Sequence, residues 1–178
     1  MWIFMRLFGL LGIYGWAREL WQKGKRDPII KMLVWARILS SVGFQVLENV
    51  AFLVRRGVLR SEKWTARERG LWVWSGRFWA ADTVLELLRL ARVRQLRYNE
   101  DFGAESVQDE DDKQVKAQSV ELEKRWRRSL YSTLAWFPST LHLSFYDEES
   151  SPISESWLGL SGMISGVIGL QDAWRETA

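Results

Sequence analysis

The sequence has no cysteine, one histidine (His142) and three prolines among its 178 residues. The absence of cysteine excludes disulfide bonds and cysteine-based metal sites. A single histidine excludes a multi-histidine metal cluster and a two-histidine relay, and we interpret His142 as a packed or interfacial side chain. Because there is also no nucleophile–base pair and no cofactor loop, the sequence predicts no enzyme, no cofactor and no metal.

Charge and hydropathy narrow the class further. The mean hydropathy of −0.18 argues against a transporter with many clean membrane spans, and the net charge of +3 suits either an anionic membrane or nucleic acid. The 12 tryptophans are unusual. Tryptophan is favoured where one end of the ring is apolar and the other is wet, as at a membrane–water interface. A tryptophan-rich soluble core is the alternative interpretation.

The N-terminal stretch MWIFMRLFGLLGIYGWARELW is apolar and has one charged residue, Arg6, within residues 1–17. It lacks a basic leading region and a clear small-residue cleavage site, so we do not expect a cleaved secretory signal. An interfacial helix, a marginal membrane insertion and a packed helix all remain open. Its candidate membrane-interface residues are Arg6, Trp16, Arg18 and Trp21.

Apolar residues recur at spacings of three and four along most of the chain, which predicts an almost entirely α-helical protein. The first clear helix should begin at Asp27, a good N-cap, and end near Gly57. Its polar residues fall on one narrow stripe: Lys31, Arg37, Ser41, Gln45, Glu48, Asn49, Arg55 and Arg56. This helix therefore needs apolar surroundings on most sides, either inside a bundle or deep in a bilayer.

A second helix should follow the capping-box pattern TARE at residues 65–68 and run to about residue 98. Asp82 and Glu86 lie four residues apart, and Glu86 and Arg89 lie three apart, so an internal ion pair is expected. Paired carboxylates can also serve metal or acid–base chemistry, but no histidine, third carboxylate or nucleophile accompanies them. We interpret them as structural. The helix ends in RLARVRQLR, a basic segment suited to phosphate headgroups.

The C-terminal half alternates basic, uncharged and acidic segments. An acidic linker, 99–112, precedes a third helix from about residue 113, which carries the interface candidates Lys124, Arg125, Trp126, Arg127 and Arg128. Residues 129–146 carry no formal charge, contain the kinking residue Pro138, and are followed by the acidic loop 147–156. The positive-inside rule places residues 124–128 in the cytosol and predicts a hydrophobic hairpin that returns to a cytosolic C-terminus.

The last uncharged segment, 157–170, is rich in glycine. Small residues allow membrane helices to approach closely, so we expect a helix-packing role for its small residues. The candidates are Gly159, Gly162, Ser165, Gly166 and Gly169. Trp157 and Trp174 bracket the segment at about 26 Å along a helix, near the spacing of two aromatic belts. A glycine-rich helix in a soluble bundle is the alternative.

Taken together, these segments resemble the peroxin-11 family of peroxisomal membrane proliferation factors. The matching elements are MRLFGLLGIYGW at 5–16, Glu48-Asn49 within VLENVAFLVRRGVL, and Trp64 in a Glu-Lys-Trp linker. Further on come Ser75, Asp82 and Glu86, and finally GLSGMISGVIGL at 159–170. The chain departs from the family pattern in having Glu48 in place of the usual Asp. It also begins inside that pattern, as expected of a divergent fungal-type member without the family's N-terminal portion or of a shortened chain.

The resemblance implies a peroxisomal membrane protein with both termini in the cytosol. Such a protein promotes membrane elongation and remodelling before division and so controls peroxisome number and size. It also implies membrane lipids as partners, self-association into a homo-oligomer, contact with the fission machinery and no nucleic-acid partner. A pore or metabolite-channel subunit is the alternative function.

The expected architecture is all-α: one membrane-associated bundle, 1–178, of about four to five helices with a C-terminal hydrophobic hairpin. It divides into N-terminal helices, 1–98, the acidic linker, 99–112, and C-terminal helices, 113–178.

Overall fold

The computed structural model describes residues 9–23, 27–104, 112–145 and 151–177, and within them the fold is all-helical with no strand. Its helices are α1 (Gly9–Lys23), α2 (Pro28–Arg55), α3 (Glu62–Thr65), α4 (Glu68–Ala104), α5 (Asp112–His142) and α6 (Glu155–Thr177). The predicted all-α class is confirmed. Arg6 lies outside the described residues.

Helix α2 begins and ends as its sequence predicts. The Asp27 carboxylate accepts a hydrogen bond from the Ile30 amide at 2.8 Å, so Asp27 is the N-cap. At the other end Gly57 adopts a φ of 71°, its amide donates to Val54 and the Val58 amide donates to Leu53. These two bonds form a Schellman motif, which requires the left-handed conformation that glycine adopts without strain.

Two predicted boundaries are wrong. The Thr65 hydroxyl donates to the Ser61 carbonyl inside the one-turn helix α3, and α4 begins only at Glu68, so Thr65 does not cap the long helix. Helix α4 also continues to Ala104, which makes the first part of the expected linker 99–112 helical. Both errors arise because a capping pattern and a polar composition are local signals, whereas most helical stability comes from tertiary packing.

Helices α2 and α4 make the most extensive contact, while α1 packs against α2, α5 against α4, and α6 against α5. Leu20 of α1 is buried against Val34 and Ile38 of α2, so the N-terminal helix is packed against the bundle. The rings of Phe44, Trp79 and Trp136 connect α2, α4 and α5 with centroid separations of 5.8 and 5.6 Å.

Helix α5 continues through Pro138 to His142 and packs against α6, with the Ser139 and Ser161 hydroxyls 3.2 Å apart. That these helices form a hydrophobic hairpin in a bilayer stays a prediction. Within the described ranges, α2 is the one helix whose length and apolar character suffice to cross a membrane. The C-terminal stretches expected to insert are uncharged, but their serine, glycine, histidine and tyrosine make them less apolar than α2.

Candidate functional site

A cluster of four charged side chains lies between α2 and α4. Arg37 of α2 donates two parallel hydrogen bonds to Asp82, at 3.0 and 3.2 Å, and its remaining guanidinium nitrogen bonds to Glu86. Arg89 donates two bonds of 2.6 Å to Glu86, so the predicted i,i+3 pair is confirmed. The cluster contains two cations and two carboxylates, and its charge is therefore balanced.

The surroundings of this cluster favour a structural role. The ring of Trp16 on α1 lies 5.2 Å from the Arg37 guanidinium and covers it. The hydrogen bonds that Arg89 donates to Glu86 raise the pKa of Arg89. Each carboxylate accepts hydrogen bonds from a guanidinium, an arrangement that holds α2 and α4 together. In the part of the chain that the structure describes, no group of three or more ligating side chains could hold a metal ion.

A second ion pair fastens the start of α2 to α4. Arg92 donates to Asp27 at 2.9 Å, while the other oxygen of the same carboxylate caps α2. The hydrogen bond from Arg92, reinforced by that from Ile30, lowers the pKa of Asp27 below its ordinary value of 3.8. Asp27 therefore has two functions, of which the sequence predicted only the cap.

The other residues of the family pattern are spread along the bundle. Asn49 accepts a hydrogen bond from Gln45 at 3.2 Å, and neighbouring Glu48 is half-buried. Ser75 is buried in α4, whereas Trp64 lies on the short helix α3 with much of its ring exposed. The motif therefore follows the α2–α4 contact and does not converge on one catalytic pocket.

Helix α6 presents a continuous apolar face to the surroundings. The exposed side chains recur at spacings of three and four and fall within one arc of the helix: Trp157, Leu160, Met163, Ile164, Val167, Leu170 and Trp174. Trp157 and Trp174 are 64% and 73% exposed. An apolar patch of this length is rare on a soluble monomer and marks a surface that meets a membrane or another protein.

The small residues of α6 occupy two neighbouring faces. Ser161 and Ser165 are buried on the face toward α5, whereas a Cβ added at Gly159, Gly162, Gly166 or Gly169 would meet nothing within 4 Å. Serines therefore make the close contact within the chain, and the glycines lie beside that contact on an open surface. Packing of these glycines against a second chain stays a prediction.

The predicted interface residues also separate by position. Arg18 and Trp21 are exposed on α1, whereas Trp16 covers Arg37. On α5, Trp126 points into the bundle and donates its indole N–H to the Leu90 carbonyl at 2.9 Å. Lys124, Arg125 and Arg127 are exposed, and Arg128 is half-buried.

Sequence reasoning placed Arg37 in the polar stripe of α2 but did not identify it as the partner of Asp82 and Glu86. The available signal was complementarity: a cationic position on one apolar helix and two anionic positions on the next. It also missed Gly76, where an added Cβ would lie 2.3 Å from the Leu143 carbonyl oxygen. Only the assembled structure shows that close approach between α4 and the turn after α5.

An all-α fold with an apolar exterior, and ion pairs that join its helices, is typical of membrane-associated helical proteins. Comparison with known sequences identifies the family. The sequence pattern described as Peroxisomal biogenesis factor 11 (PEX11) matches residues 4–174, so the chain belongs to the PEX11 family. Members are peroxisome biogenesis factors associated with the peroxisomal membrane, and the family is not a known enzyme family.

The curated relative found is an uncharacterized protein of Schizosaccharomyces pombe, 27% identical over 128 residues. The match covers 72% of this chain and 52% of that protein, so the chain spans about half the length of its relative. No solved structure matches the chain.

Proposed function

We propose that this protein elongates and remodels the peroxisomal membrane before division and thereby controls peroxisome number and size. Membership of the PEX11 family supports this function at the level of the organelle. The exposed apolar face of α6, bracketed by Trp157 and Trp174, is the structural observation that carries it, because in a family of membrane-associated proteins a surface of this kind is suited to contact with a lipid bilayer.

The proposed mechanism is shallow insertion of α1 into one leaflet, with the C-terminal hairpin that includes α6 as the membrane anchor. A helix whose apolar face sinks to the boundary between headgroups and acyl chains widens that leaflet and favours curvature. Helix α1 adds apolar exposure of its own through Leu10, Leu11, Tyr14 and Trp21. Self-association would concentrate these inserted helices in one region of the membrane. Contact with the fission machinery would then lead from elongation to division.

Both termini are proposed to face the cytosol. The basic segment 124–128 supports this arrangement through the positive-inside rule, and the acidic loop after α5 would lie on the opposite side. Protease added to intact peroxisomes should therefore remove a C-terminal tag. Protection of the tag until detergent is added would reverse the assignment.

A pore or metabolite channel is less well supported by the geometry. It would require the polar stripe of α2 to line a water-filled path. Instead Arg37 is engaged by Asp82 and Glu86, and Gln45 is bonded to Asn49. Purified protein in planar bilayers should accordingly deform membranes without selective conductance.

The membrane-binding role of α6 can be tested with two matched double variants. Met163→Asp with Val167→Asp places two charges four residues apart on the exposed face of α6, and Val84→Asp with Leu88→Asp does the same on exposed positions of α4. We expect the α6 variant to bind liposomes at least about tenfold more weakly and to lose tubulation, because charges in the bilayer are costly. The α4 variant should retain both activities. Normal binding and tubulation by the α6 variant would overturn the proposal.

A further inference from the structure

A groove with a volume of about 740 Å³ lies between the C-terminal part of α4 and α5, and none of its described lining residues belongs to α6. This volume falls in the range of sites that hold a small molecule or a lipid headgroup. Four cationic side chains line it: Arg94 and Arg97 from α4, and Lys124 and Arg127 from α5. The function proposed above makes no use of this groove.

The cations of the groove are organised around one carboxylate, Glu123. Arg94 and Arg127 bond directly to it, the latter at 2.9 Å, and an Arg97 nitrogen lies 3.9 Å away. These hydrogen bonds lower the pKa of Glu123, those from Arg127 first and from Arg94 next. Among the described residues that line the groove, four cations face one anion, an excess of three positive charges.

The groove also holds two of its four cations in place before any ligand arrives. The Arg94 guanidinium lies 5.1 Å from the centroid of Trp126, whose indole is itself bonded to the Leu90 carbonyl. Arg127 is held by Glu123 one turn away. Guanidinium groups positioned in this manner bind phosphate oxygens in pairs, and little side-chain entropy remains to be lost on binding.

Val120 and Leu122 add exposed apolar surface to the same groove. A site with both features suits a molecule that carries a phosphate beside hydrocarbon. Nucleic acid and acidic peptides supply anionic groups in series but no acyl chain, and the chain belongs to a family of membrane-associated proteins.

We propose that this groove binds the phosphate headgroup of an anionic phospholipid, with Val120 and Leu122 against the start of its acyl chains. The inference deepens the proposed function and rests on its membrane association, because it names the lipid class that the protein would select. The cations that decide binding are Arg94, Arg97, Lys124 and Arg127, whereas Arg125 is not part of the groove.

The test measures binding to the detergent-solubilised full chain, so that it does not depend on remodelling activity. The ligands are dihexanoyl phosphatidic acid, dihexanoyl phosphatidylcholine and inorganic phosphate. Phosphatidic acid should bind at least about tenfold more tightly than either of the others. Equal binding of inorganic phosphate would identify a free-phosphate site instead, and equal binding of phosphatidylcholine would overturn the choice of an anionic headgroup.

A matched pair of variants lies on α5. Arg127→Gln removes a groove cation that is 61% exposed and paired with Glu123, whereas Arg125→Gln removes one that is 74% exposed and paired in the same i,i+4 manner with Glu121. We expect Arg127→Gln to weaken phosphatidic acid binding about tenfold and Arg125→Gln to leave it within twofold. If the two variants weakened phosphatidic acid binding equally, the lipid would be attracted by the general surface charge of α5, and the proposed groove site would be wrong.

A third variant is expected to strengthen lipid binding, a result that misfolding of the variant would not produce. Glu123→Gln keeps a side-chain oxygen that can hold Arg94 and Arg127 but removes the negative charge that competes with the ligand, so phosphatidic acid should bind more tightly than to the wild type. Weaker binding would contradict the proposed competition. If the three lipid-binding results are as expected but the wild type does not tubulate liposomes, the proposed lipid site is supported and the proposed remodelling function is wrong. If tubulation occurs without selective lipid binding, the groove alone is wrong.

Discussion

Arg37 is the side chain on which three helices converge. Its guanidinium bonds to Asp82 and Glu86 of α4 and lies under Trp16 of α1, so it joins both helices to α2. Replacing it would leave two carboxylates beside each other in a partly buried position with Arg89 alone to neutralise them. Removing one partner of a buried ion pair lowers the free energy of unfolding more than replacing both partners with apolar residues does.

The first prediction follows from this charge balance. Arg37→Met should lower the free energy of unfolding by about 2 kcal/mol, because it leaves an uncompensated carboxylate. Adding Asp82→Leu to that variant should restore part of the loss, since apolar replacement of both partners is often neutral. Denaturant unfolding in detergent, followed by tryptophan fluorescence, measures both changes. The control Arg125→Gln, an exposed pair, should cost about 0.5 kcal/mol or less. An Arg37→Met variant as stable as this control would contradict the structural role of the cluster.

The second prediction concerns the pH dependence of folding stability that arises from Asp27. Its pKa is lowered in the folded protein by Arg92, so the pair stabilises the fold fully above the ordinary pKa of 3.8. That stabilisation is lost as the pH falls from 3.8 through the lowered folded value. Asp27→Asn keeps an N-cap but cannot ionise. The melting temperature of this variant should therefore fall less on acidification than that of the wild type. Parallel melting curves of wild type and variant between about pH 2 and 6 would contradict it.

At the scale of helices, two glycines, each inside a helix, have opposite environments. A Cβ at Gly76 of α4 would lie 2.3 Å from the Leu143 carbonyl oxygen, so the helix and the turn after α5 approach as closely as glycine permits. A Cβ at Gly159 of α6 would meet nothing within 4 Å. The same substitution should therefore have opposite effects at the two positions.

The third prediction tests this contrast with one change. Gly76→Ala should destabilise the protein by about 2 kcal/mol, because backbone atoms cannot move aside as a flexible side chain would. Gly159→Ala should stabilise it by up to about 1 kcal/mol, because alanine favours a helix interior over glycine. Thermal melting of the two variants beside the wild type measures both. Equal shifts would mean that α4 and the end of α5 are not in this close contact.

The helices also show which features the sequence could predict. The cap at Asp27, the Gly57 terminus and the Glu86–Arg89 pair depend on neighbours within a few residues, and the sequence predicted all three. The contacts of Arg37 with α4 and of Gly76 with Leu143 depend on how far one helix is shifted along another. No local pattern encodes that shift, because many registers satisfy the same apolar faces.

At the scale of the whole molecule, the polar interactions lie between helices and much apolar surface lies outside. The charged clusters join α2 to α4, and the serines join α5 to α6. The apolar face of α6 is largely exposed, and a Cβ added at any of the glycines beside it would meet nothing within 4 Å. This inverts the usual arrangement of a soluble bundle and fits a protein that completes its packing in a membrane.

The fourth prediction concerns packing between copies of the protein in the membrane. Replacing both Gly162 and Gly166 by leucine should leave the fold intact, because the new side chains enter open space. Membrane retention after alkaline carbonate should also be normal, since the helix becomes more apolar. Self-association should weaken, because helices in lipid associate largely through close van der Waals contact and the added bulk prevents it. Crosslinked oligomer and peroxisome number are the measurements, and both should fall.

The matched control replaces Met163 and Val167, on the neighbouring exposed face, by leucine. That change keeps an apolar surface of similar bulk, and we expect wild-type oligomer yield and peroxisome number. If the glycine variant also matches the wild type in both assays, another surface must join the copies, and the four glycines of α6 need a different explanation. If both variants lose oligomer equally, the contact includes the whole exposed side of α6, and close backbone approach at the glycines is not its basis.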